Sequence, residues 1–332
     1  MRKLGSNLEG HTILITGGTG SFGHQMTARL LKIPDTHIKI YSRDEDKHRV
    51  MDNIFKSSDI EYVLGDIRDY ERLQEAMKGV DTVLHAGALK QIPSVEYNPM
   101  EAIKTNTISA YNIMKASDYQ NVEQVIAIST DKACKPTNSY GMSKALMEKI
   151  ITGDDVWSDN TKFGCVRYGN VLGSRGSVLP VWDKLIDEKK PIPITATQMR
   201  RFFLTLEQAT DLILFASLNL FEKEIFVRHS PALFIHDLAS VYAELKTGKK
   251  NYPQKIIGVR SGEKLDEVLV AEEETQRTIP MKTKYGMFYK IKRQDHSPYP
   301  ETTMSDEYTS ATTDQLNKKE IKKLIDGLVW KR

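Results

Sequence analysis

Cysteine is scarce in this sequence, which holds only two, Cys134 and Cys165, among 332 residues. Two cysteines cannot build a disulfide framework, and their spacing does not match a metal finger, so we expect no metal site and a reducing compartment, the cytoplasm. The net charge of +3 is too small to indicate a nucleic acid partner or an anionic membrane. No apolar run approaches the ~20 residues that cross a bilayer, and MRKLGSNLEGHT lacks the apolar stretch of a signal peptide.

What remains is the composition of an ordinary globular protein, 40% hydrophobic and 27% charged, with β/α alternation through the first half of the chain. This alternation predicts an α/β fold, a doubly wound parallel sheet of the Rossmann type. After the predicted strand Lys162–Tyr168 the alternation loosens. We therefore predict a Rossmann core over residues 1–168, to which later segments return, and a smaller substrate-binding lobe with a C-terminal tail over residues 169–332.

A glycine-rich loop follows the first predicted strand, His11–Thr16, and precedes HQMTARLLK, which has helical spacing. In this strand–loop–helix setting the pattern G-x-x-G-x-x-G predicts a dinucleotide site, because glycines permit a tight turn, a close approach to pyrophosphate and close helix packing. The phosphates would lie at the helix N-terminus, where free N–H groups favour anions. The alternative is a purely structural turn. The candidate cofactor residues here are Gly17, Thr19, Gly20, Ser21, Phe22 and Gly23.

The end of the second predicted strand, Ile38–Tyr41, bears on the choice between NADP and NAD. It continues into Ser42, Arg43 and Asp44, with Lys47 shortly after. A hydroxyl and two cations suit a 2′-phosphate, which favours NADP. Asp44 could instead bind the ribose 2′-hydroxyl of NAD. The alternative for the two cations is a solvated helix start.

Two later strand ends and one helix supply further cofactor candidates. After Glu61–Leu64, a carboxylate could meet the adenine amine, and after Thr82–His85 small residues would let the backbone pass close to a cofactor. These candidates are Asp66, Ile67, Ala86, Ala88 and Lys90. Asn106 lies on a long helix predicted over Glu101–Asp118. Its spacing favours core packing, but its side chain could face the catalytic helix, and we include it among the cofactor candidates.

The central stretch Ser129–Lys144 follows the apolar run Val122–Ile128, which reads as a buried parallel strand. Tyr140 and Lys144 are four residues apart and so share a helix face. An ammonium beside a phenol lowers the phenol pKa and gives a base that works near neutral pH. Asp131 and Lys132 add a carboxyl and an amine at the strand end. The alternative readings are a chance Tyr-x-x-x-Lys match and a solvated charge pair.

The second half of the chain carries scattered arginines and weak periodicity. Arg167, Arg175, Arg201 and Arg260 could converge on a second phosphorylated ligand, because arginine suits diphosphate; the alternative is that each is a surface charge. We predict a helix over Leu265–Val270. For residues 275–315 we predict a loosely structured segment that packs on the smaller lobe. For Leu316–Trp330 we predict an amphipathic helix that caps the fold.

Together the motifs TGGTGSFG, YSRDE-x-K, GD-I-RD, STDKA-x-x-P, YG-x-SK, RYGNV, SRGSV-x-P and R-x-GEK resemble an extended short-chain dehydrogenase/reductase. Within that superfamily they are most similar to the inverting UDP-N-acetylglucosamine 4,6-dehydratases, which serve pseudaminic acid or capsular N-acetyl-L-fucosamine synthesis. The resemblance implies tightly bound NADP that is regenerated each cycle, a UDP-sugar substrate and a homo-oligomer, dimeric or hexameric. The implied substrate-binding residues are Lys90, Tyr168, Asn170, Val178, Thr195, Arg201, Arg260 and Glu263.

The resemblance also implies roles for the central stretch. Tyr140, assisted by Lys144, would take the proton of the sugar 4-hydroxyl, and Thr130 would hydrogen-bond the 4-oxygen. Lys132 would remove H5 and Asp131 would protonate the departing 6-hydroxyl, with burial raising the carboxyl pKa and lowering the amine pKa. The rival hypotheses are a nucleotide-sugar 4-epimerase, a reductase that consumes NADPH, and a non-catalytic regulator that senses dinucleotides.

Overall fold

The computed structural model describes residues 3–154, 158, 160–174, 176–293 and 303–329. Arg175, one of the four arginines considered above, lies outside these ranges. The strands among the described residues are β1 (Thr12–Thr16), β2 (His37–Ser42), β3 (Ile60–Leu64), β4 (Thr82–His85), β5 (Gln124–Ile128), β6 (Lys162–Arg167), β7 (Asn170–Val171), β8 (Ile192–Ile194), β9 (Arg200–Leu204), β10 (Glu224–Arg228), β11 (Ala232–Phe234), β12 (Gln254–Ile256), β13 (Val268–Val270), β14 (Thr278–Thr283), β15 (Gly286–Ile291) and β16 (Tyr308–Thr309).

The α-helices described are α1 (Ser21–Leu30), α2 (Glu45–Phe55), α3 (Tyr70–Ala76), α4 (Ile92–Tyr97), α5 (Pro99–Ala102), α6 (Ser109–Tyr119), α7 (Ser139–Thr152), α8 (Val178–Asp187), α9 (Leu206–Asn219), α10 (Ile235–Thr247) and α11 (Lys318–Val329). Short 3₁₀ helices cover Ser6–Leu8, Asp131–Ala133 and Glu272–Arg277, and a π-helical turn covers Ile103–Ile108. Among the described residues, every helix is too short or too polar to cross a membrane.

A nine-stranded sheet forms the centre of the molecule, with the order β14-β15-β10-β6-β5-β4-β1-β2-β3. The strands from β10 to β3 run parallel, and β15 and β14 are antiparallel at one edge. Because β1 lies between β2 and β4, the strand order reverses there, and ligands of such sheets bind in the crevice beyond the carboxyl ends of these strands. The predicted α/β, Rossmann-type fold is confirmed.

The central strands form because their sequences are β-branched and apolar and are covered on both faces. β1 (TILIT) has four buried residues of five, and β4 (TVLH) is buried throughout. One apolar cluster fills each face of the sheet, one including Val83 and Phe163 and the other including Ile13 and Phe226.

A smaller unit stands over the crevice. It contains the sheet β11-β9-β7, the strand pair β12-β8 and helices α8, α10 and α11. Its core is a third apolar cluster around Trp182, Leu238 and Ile321. β7 and β9 continue the chain from the carboxyl end of β6, which brings this unit directly over the ends of the central strands.

Two secondary-structure predictions for the second half were wrong. Leu265–Val270 does not form a helix: Val268–Val270 is the strand β13, fully buried and paired antiparallel with β16. Short apolar runs do not distinguish a strand from a helix by spacing. Residues 275–315 are not loosely structured where described, because β14 and β15 form a hairpin that extends the central sheet beside β10.

The long helix predicted over Glu101–Asp118 exists but is not regular. α5 passes into the π-helical turn Ile103–Ile108 before α6 begins. The turn lies against α7, the helix of Tyr140 and Lys144. Such wide turns are rare and often accompany functional sites, and this one carries Asn106.

Candidate active site

The glycine loop has the geometry that a pyrophosphate needs. Gly17 has a φ of 64°, and a Cβ there would lie 2.8 Å from the Cα of Gly87 in the loop after β4. A Cβ on Gly23 would lie 1.8 Å from the carbonyl oxygen of Gly18, so only glycine lets α1 pack on the loop. Gly20 is the N-cap of the ten-residue helix α1 and has no side chain to fill the space before it, and Gly20, Ser21 and Phe22 line the crevice.

The end of β2 lines a cleft of about 800 Å³ that holds Thr19, Ser42, Arg43, Lys47 and Ile67 among its walls. Asp44 lines it too, but its carboxylate is already engaged: it caps α2 by accepting from the Lys47 backbone N–H at 3.0 Å and also pairs with the Lys47 ammonium. Ser42 Oγ lies 2.8 Å from His48 Nε2 and 3.4 Å from Thr19 Oγ1.

Asp66, the predicted adenine contact, has its carboxylate paired with the guanidinium groups of Arg68 and Arg43. Arg68 donates to it from Nε and Nη2, the latter at 2.6 Å, and Arg43 Nη1 lies 3.5 Å away. The neighbouring Ile67 lines the cleft, and Asp66 is not part of that wall. Its adenine contact therefore stays a prediction.

A second cleft of about 430 Å³ joins the glycine loop to the ends of β4, β5 and β6. It shares Gly17, Gly87 and Ala88 with the first cleft. Ala86 and Lys90 also line it, and burial lowers the pKa of the Lys90 ammonium. The two clefts together form one elongated trough across the reversal point of the sheet.

Asn106 is buried and contacts both the strand-end loop and the catalytic helix. Its amide oxygen accepts from the Leu89 N–H at 2.8 Å, and its amide nitrogen donates to the Leu89 carbonyl and to Ser143 Oγ, each at 2.9 Å. Asn106 is fully buried, as core packing predicted, and through these hydrogen bonds it also joins the loop after β4 to α7.

The central stretch forms a compact polar cluster at the end of β5. Thr130 begins the 3₁₀ turn Asp131–Ala133 and donates from Oγ1 to Asp131 Oδ1 at 3.0 Å. Lys132 Nζ donates to the same oxygen at 3.0 Å. Asp131 is fully buried, and its other oxygen has no hydrogen-bond partner among the described residues. Thr130, Lys132, Tyr140 and Lys144 line the second cleft.

The pKa values of two groups in this cluster, Lys132 and Tyr140, shift in the direction opposite to the one expected. Burial lowers the pKa of Lys132, but the carboxylates of Asp131 and Glu267 outweigh burial, so that the net pKa is raised rather than lowered. Burial also raises the pKa of Tyr140, opposed by the Lys132 charge and a hydrogen bond with Thr130. The cation that acts on the phenol is therefore Lys132, and the Lys144 ammonium lies 3.0 Å from Met147 Sδ.

Lys144 and His85 are both strongly affected by burial. Lys144 is 2% exposed, and burial lowers its pKa to about 8. His85 is the last residue of β4, and its Nδ1 lies 2.8 Å from Thr16 Oγ1, which also accepts from the Gly87 N–H. Burial, with the Lys144 charge as a second cause, lowers the pKa of His85 to about 3, so this imidazole is neutral.

The substrate side of the second cleft is formed by the chain after β6. Tyr168, Asn170, Ser177 and Val178 line it. Asn170 Oδ1, Ser177 Oγ and the nearby Ser129 Oγ are buried without hydrogen-bond partners among the described residues. Ser177 caps α8 without a side-chain hydrogen bond, which leaves a second helix N-terminus open to the cleft.

Four predicted substrate residues lie outside the walls of this cleft: Thr195, Arg201, Arg260 and Glu263. Arg201 is buried and donates from its guanidinium to the carbonyls of Arg200, Lys264 and Leu265. Arg260 is exposed, and its backbone N–H donates to the Glu263 carboxylate at 3.3 Å. Thr195 follows β8 and is half-buried. Their substrate contacts stay predictions.

Arg167 is not available to a phosphorylated ligand, so its proposed convergence with the other arginines was wrong. Its guanidinium is buried between two carboxylates and donates to Glu148 at 3.0 and 2.6 Å and to Glu274 at 2.7 and 3.1 Å. It also donates to the Leu269 carbonyl at 2.8 Å. This buried cluster attaches α7 to the segment that precedes β14.

Sequence reasoning missed one charged residue of the site, Glu267. Its side chain is 3% exposed, and Oε1 lies 3.6 Å from Lys132 Nζ and from Arg201 Nε. It is 135 positions from Lys132 in a segment without a local signal. Its proximity depends entirely on the tertiary fold.

These features define an enzyme of the short-chain dehydrogenase/reductase class. They are the Rossmann sheet, the glycine loop before α1, and the Tyr140–Lys144 pair beside the cluster of Thr130, Asp131 and Lys132. A family described as "Polysaccharide biosynthesis protein" matches residues 13–289. An inverting UDP-N-acetylglucosamine 4,6-dehydratase of Campylobacter jejuni is 44% identical over 287 residues, covering 85% of this chain and 84% of that protein. The chain belongs to this polysaccharide biosynthesis family.

The chain is also similar to proteins named for other activities. A UDP-glucose 4-epimerase of Rickettsia bellii is 40% identical over 332 residues, covering 96% of each chain. Among solved structures, Pen from Bacillus thuringiensis has a TM-score of 0.89 and 32% identity and covers 96% of this chain and 98% of its own. DesIV, a dTDP-glucose 4,6-dehydratase from Streptomyces venezuelae with NAD and TYD bound, has a TM-score of 0.69 at 17% identity, covers 76% and 86% of the two chains, and shares the fold.

Proposed function

We propose that this enzyme is an inverting UDP-N-acetylglucosamine 4,6-dehydratase that uses NADP. The observation that carries the proposal is the buried Asp131–Lys132 pair, hydrogen-bonded at 3.0 Å beside Tyr140. Elimination of water needs an acid and a base in addition to the tyrosine that handles the 4-hydroxyl proton. The Campylobacter relative, named for this reaction, supports the same assignment.

A nicotinamide dinucleotide fits the trough on three observations. The loop glycines leave no room for a Cβ at positions 17 and 23, the α1 N-terminus is uncapped, and DesIV carries NAD in the same fold. The residues that would hold it are those of the glycine loop, the ends of β2 and β4, and Tyr140 with Lys144. Bound there, the nicotinamide would supply the hydride acceptor for oxidation at C4 and the hydride donor for reduction at C6.

NADP is favoured over NAD because of how Asp44 is used. Its carboxylate is taken by the α2 cap and by the Lys47 ammonium, whereas Thr19, Ser42 and the 57% exposed Arg43 side chain face the cleft. These groups can bind a 2′-phosphate through hydrogen bonds and charge. Release of the bound cofactor by denaturation, followed by mass spectrometry, distinguishes the two dinucleotides.

The chemistry starts at Tyr140. In the deprotonated form, which the Lys132 charge and the Thr130 hydrogen bond favour, its oxygen takes the proton of the 4-hydroxyl while C4 is oxidised. Thr130 can then donate to the 4-oxygen. The resulting 4-keto group makes H5 acidic. Lys144, with a pKa of about 8, changes its charge close to physiological pH and supports the proton balance at Tyr140.

Dehydration then needs Lys132 neutral and Asp131 protonated. The ion pair reaches that state when the proton moves along the existing 3.0 Å hydrogen bond from Nζ to the carboxylate, a shift that burial under the sugar favours. The Lys132 lone pair takes H5, the C5–H electrons form the C5=C6 bond, and the C6–O bond breaks as Asp131 gives its proton to the hydroxyl. Water leaves. In the inverting reaction, addition of the hydride at C6 and of a solvent proton at C5, on the face opposite the one that Lys132 deprotonated, then gives an L-configured 4-keto-6-deoxy sugar.

The diphosphate of the substrate would lie at the N-terminus of α8. Ser177 Oγ and the Asn170 amide nitrogen can donate to phosphate oxygens there, and Lys90 and Tyr168 line the same cleft. Val178, Thr195, Arg201, Arg260 and Glu263 remain proposed contacts of the UDP group.

The product would enter a surface-glycan pathway of the pseudaminic acid or N-acetyl-L-fucosamine type, in agreement with the family description. Both cysteines are free and buried, which supports a reducing compartment such as the cytoplasm. We also propose a homo-oligomer.

The test is incubation with UDP-N-acetylglucosamine in D₂O, followed by proton NMR. Dehydration predicts a new C6 methyl signal, deuterium at C5 and no lasting change in absorbance at about 340 nm, the nicotinamide band. The ring couplings give the C5 configuration. A stoichiometric loss of NADPH would mean a reductase, and an unchanged sugar would contradict the proposal.

A 4-epimerase is the second candidate, favoured by the full-length similarity to the Rickettsia protein of that name. An epimerase needs Tyr140 and Thr130 but has no use for an acid–base pair directed at C5 and C6. Clean conversion to the galacto isomer, unaffected by Lys132→Met, would establish that reading.

A further inference from the structure

Glu267 is a buried carboxylate surrounded by cations. It is 2% exposed. Its Oε1 lies 3.6 Å from Lys132 Nζ and from Arg201 Nε, and its Oε2 lies 3.3 Å from Lys264 Nζ. A buried carboxylate is retained only with compensating charge or hydrogen bonds, and here one of the compensating groups is the proposed C5 base.

The other two cations have additional partners that do not depend on Glu267. Arg201 donates to carbonyls of residues 200, 264 and 265, and Lys264 Nζ donates to the carbonyls of Cys134 and Lys135 at 2.9 and 3.2 Å. Lys132 pairs with Asp131 and Glu267. After Lys132 has taken H5, and until Asp131 has given its own proton to the departing hydroxyl, the neutral Asp131 does not balance the new ammonium charge. Glu267 is then the anion that faces the lysine.

The backbone of Glu267 is held by the chain near the C-terminus. Its N–H donates to Ser310 Oγ at 3.0 Å, its carbonyl accepts from the Ser310 N–H at 2.8 Å, and β13 and β16 pair beside it. Ser310 Oγ also donates to Asp266, whose carboxylate accepts two hydrogen bonds from Arg200. This attachment fixes the carboxylate relative to the end of β5, where Lys132 lies.

We propose that Glu267 is a positioning residue that holds Lys132 toward the cleft and stabilises the ammonium formed when Lys132 takes the C5 proton. The proposal rests on the proposed function, because it assigns Lys132 the role of base. The proposal also gives β16 and Ser310 a part in supporting the active site. This segment lies beyond the family match at residues 13–289.

The charge balance predicts the direction of the effect. The groups facing Lys132 are Asp131, Glu267, Arg201 and the Tyr140 phenol. Lys264 pairs with Glu267 through the other carboxylate oxygen, Oε2. Glu267→Gln removes one anion and leaves both other cations, so the Lys132 pKa should fall by about 1 to 3 units. Glu267→Asp keeps the charge and should retain most of the wild-type value.

The experiment measures the Lys132 pKa without relying on turnover. Competitive acetylation with acetic anhydride across pH, read by peptide mass spectrometry, reports each lysine separately. It is applied to the wild type, Glu267→Gln, Glu267→Asp and Glu272→Gln. The last is the matched control, because Glu272 is an exposed carboxylate on the following segment and is not among the groups that shift the Lys132 pKa.

Turnover of UDP-N-acetylglucosamine gives the second readout. In Glu267→Gln the basic limb of the kcat profile, where the Asp131–Lys132 pair loses its one shared proton, should move to lower pH. The KM should change less than about twofold, because Glu267 is not among the residues that line the cleft. An unchanged Lys132 pKa in Glu267→Gln, or an equal fall in Glu272→Gln, overturns the proposal. If the wild type forms no dehydrated sugar, the proposed function fails, whereas the acetylation result still decides the role of Glu267. If Glu267→Gln does not fold, Glu267→Asp decides. The shorter side chain moves the carboxylate away from Lys132, so the Lys132 pKa should fall by a smaller amount.

Discussion

Lys144 is a single residue whose charge opposes folding. Burial lowers its pKa from 10.5 to about 8. Between these values the folded state binds fewer protons than the unfolded state, so stability rises with pH across this window, and below pH 8 the folded state bears the full penalty of a buried ammonium. The shift corresponds to about 3 kcal/mol.

We therefore expect Lys144→Met to inactivate the enzyme and to raise the free energy of unfolding at pH 7 by about 3 kcal/mol, an advantage that disappears near pH 10.5. Urea denaturation at pH 7 and at pH ~10 measures this. Lys149→Met, an exposed position on the same helix, is the control and should change stability by less than about 0.5 kcal/mol. Equal stability of the Lys144 variant and the wild type at pH 7 would contradict the argument.

Tyr140 and Tyr168 line the same cleft but should differ in effect. Tyr140→Phe removes the group proposed to exchange the 4-hydroxyl proton and should lower kcat by about 10² to 10⁴ while UDP-sugar binding is retained. Tyr168→Phe removes a hydroxyl with no proposed proton transfer and should alter the KM more than the kcat. Steady-state kinetics measures the kcat and KM of both variants, and a binding titration with UDP measures whether nucleotide binding is retained. A Tyr140→Phe enzyme within tenfold of the wild type would exclude its proposed role.

At the residue scale, the sequence predicts which groups meet but not their protonation. Thr130, Asp131, Lys132 and Tyr140 are local in the chain, and the strand–helix context brings them together as expected. The pKa of Lys132 depends on Glu267, which is distant in sequence and became a neighbour only through the fold. Spacing cannot reveal such a neighbour.

At the element scale, the attachment of α7 to the segment before β14 depends on Arg167. Arg167→Met would leave Glu148 and Glu274 buried without their partner, and we expect a loss of about 3 to 5 kcal/mol. Arg49→Ala, which breaks an exposed pair with Asp46, should cost at most about 1 kcal/mol. Denaturant unfolding compares the two. Adding Glu148→Gln and Glu274→Gln to Arg167→Met should recover most of the loss; no recovery would mean that burial of charge is not the cause.

Elements with strong local signals were predicted, and elements defined by long-range pairing were not. The glycine loop, β1 and α7 have their own turn residues and apolar periodicity. β13 and the β14–β15 hairpin are polar or short, and they are strands because β16 and β10 offer free edges to pair with. The π-helical turn at Asn106 likewise depends on the contacts of Asn106 with Leu89 and Ser143 rather than on its own sequence.

At the scale of the whole molecule, the chain passes repeatedly between the sheet and the smaller unit. β10, β14 and β15, from the second half, complete the sheet that β1 begins, and α9 packs against α1 across more than 180 positions through the Arg29–Asp211 pair at 2.7 Å. Removing either half would expose the edge of β6 and the apolar cluster around Phe226. The two units should therefore not unfold independently, although chains of this size often unfold in steps.

This interleaving predicts a single cooperative transition, which Trp182 can report. The chain has three tryptophans, and Trp182, 1% exposed, lies in the core of the smaller unit. In a Trp157→Phe, Trp330→Phe variant, Trp182 fluorescence follows that unit alone, whereas far-ultraviolet circular dichroism follows the whole chain. We expect the two urea curves to coincide and to move together to higher urea when NADP is added, because a ligand of the folded state stabilises every element coupled to it. An earlier loss of Trp182 fluorescence would show that the smaller unit unfolds first and that the shared sheet does not couple it to the cofactor site.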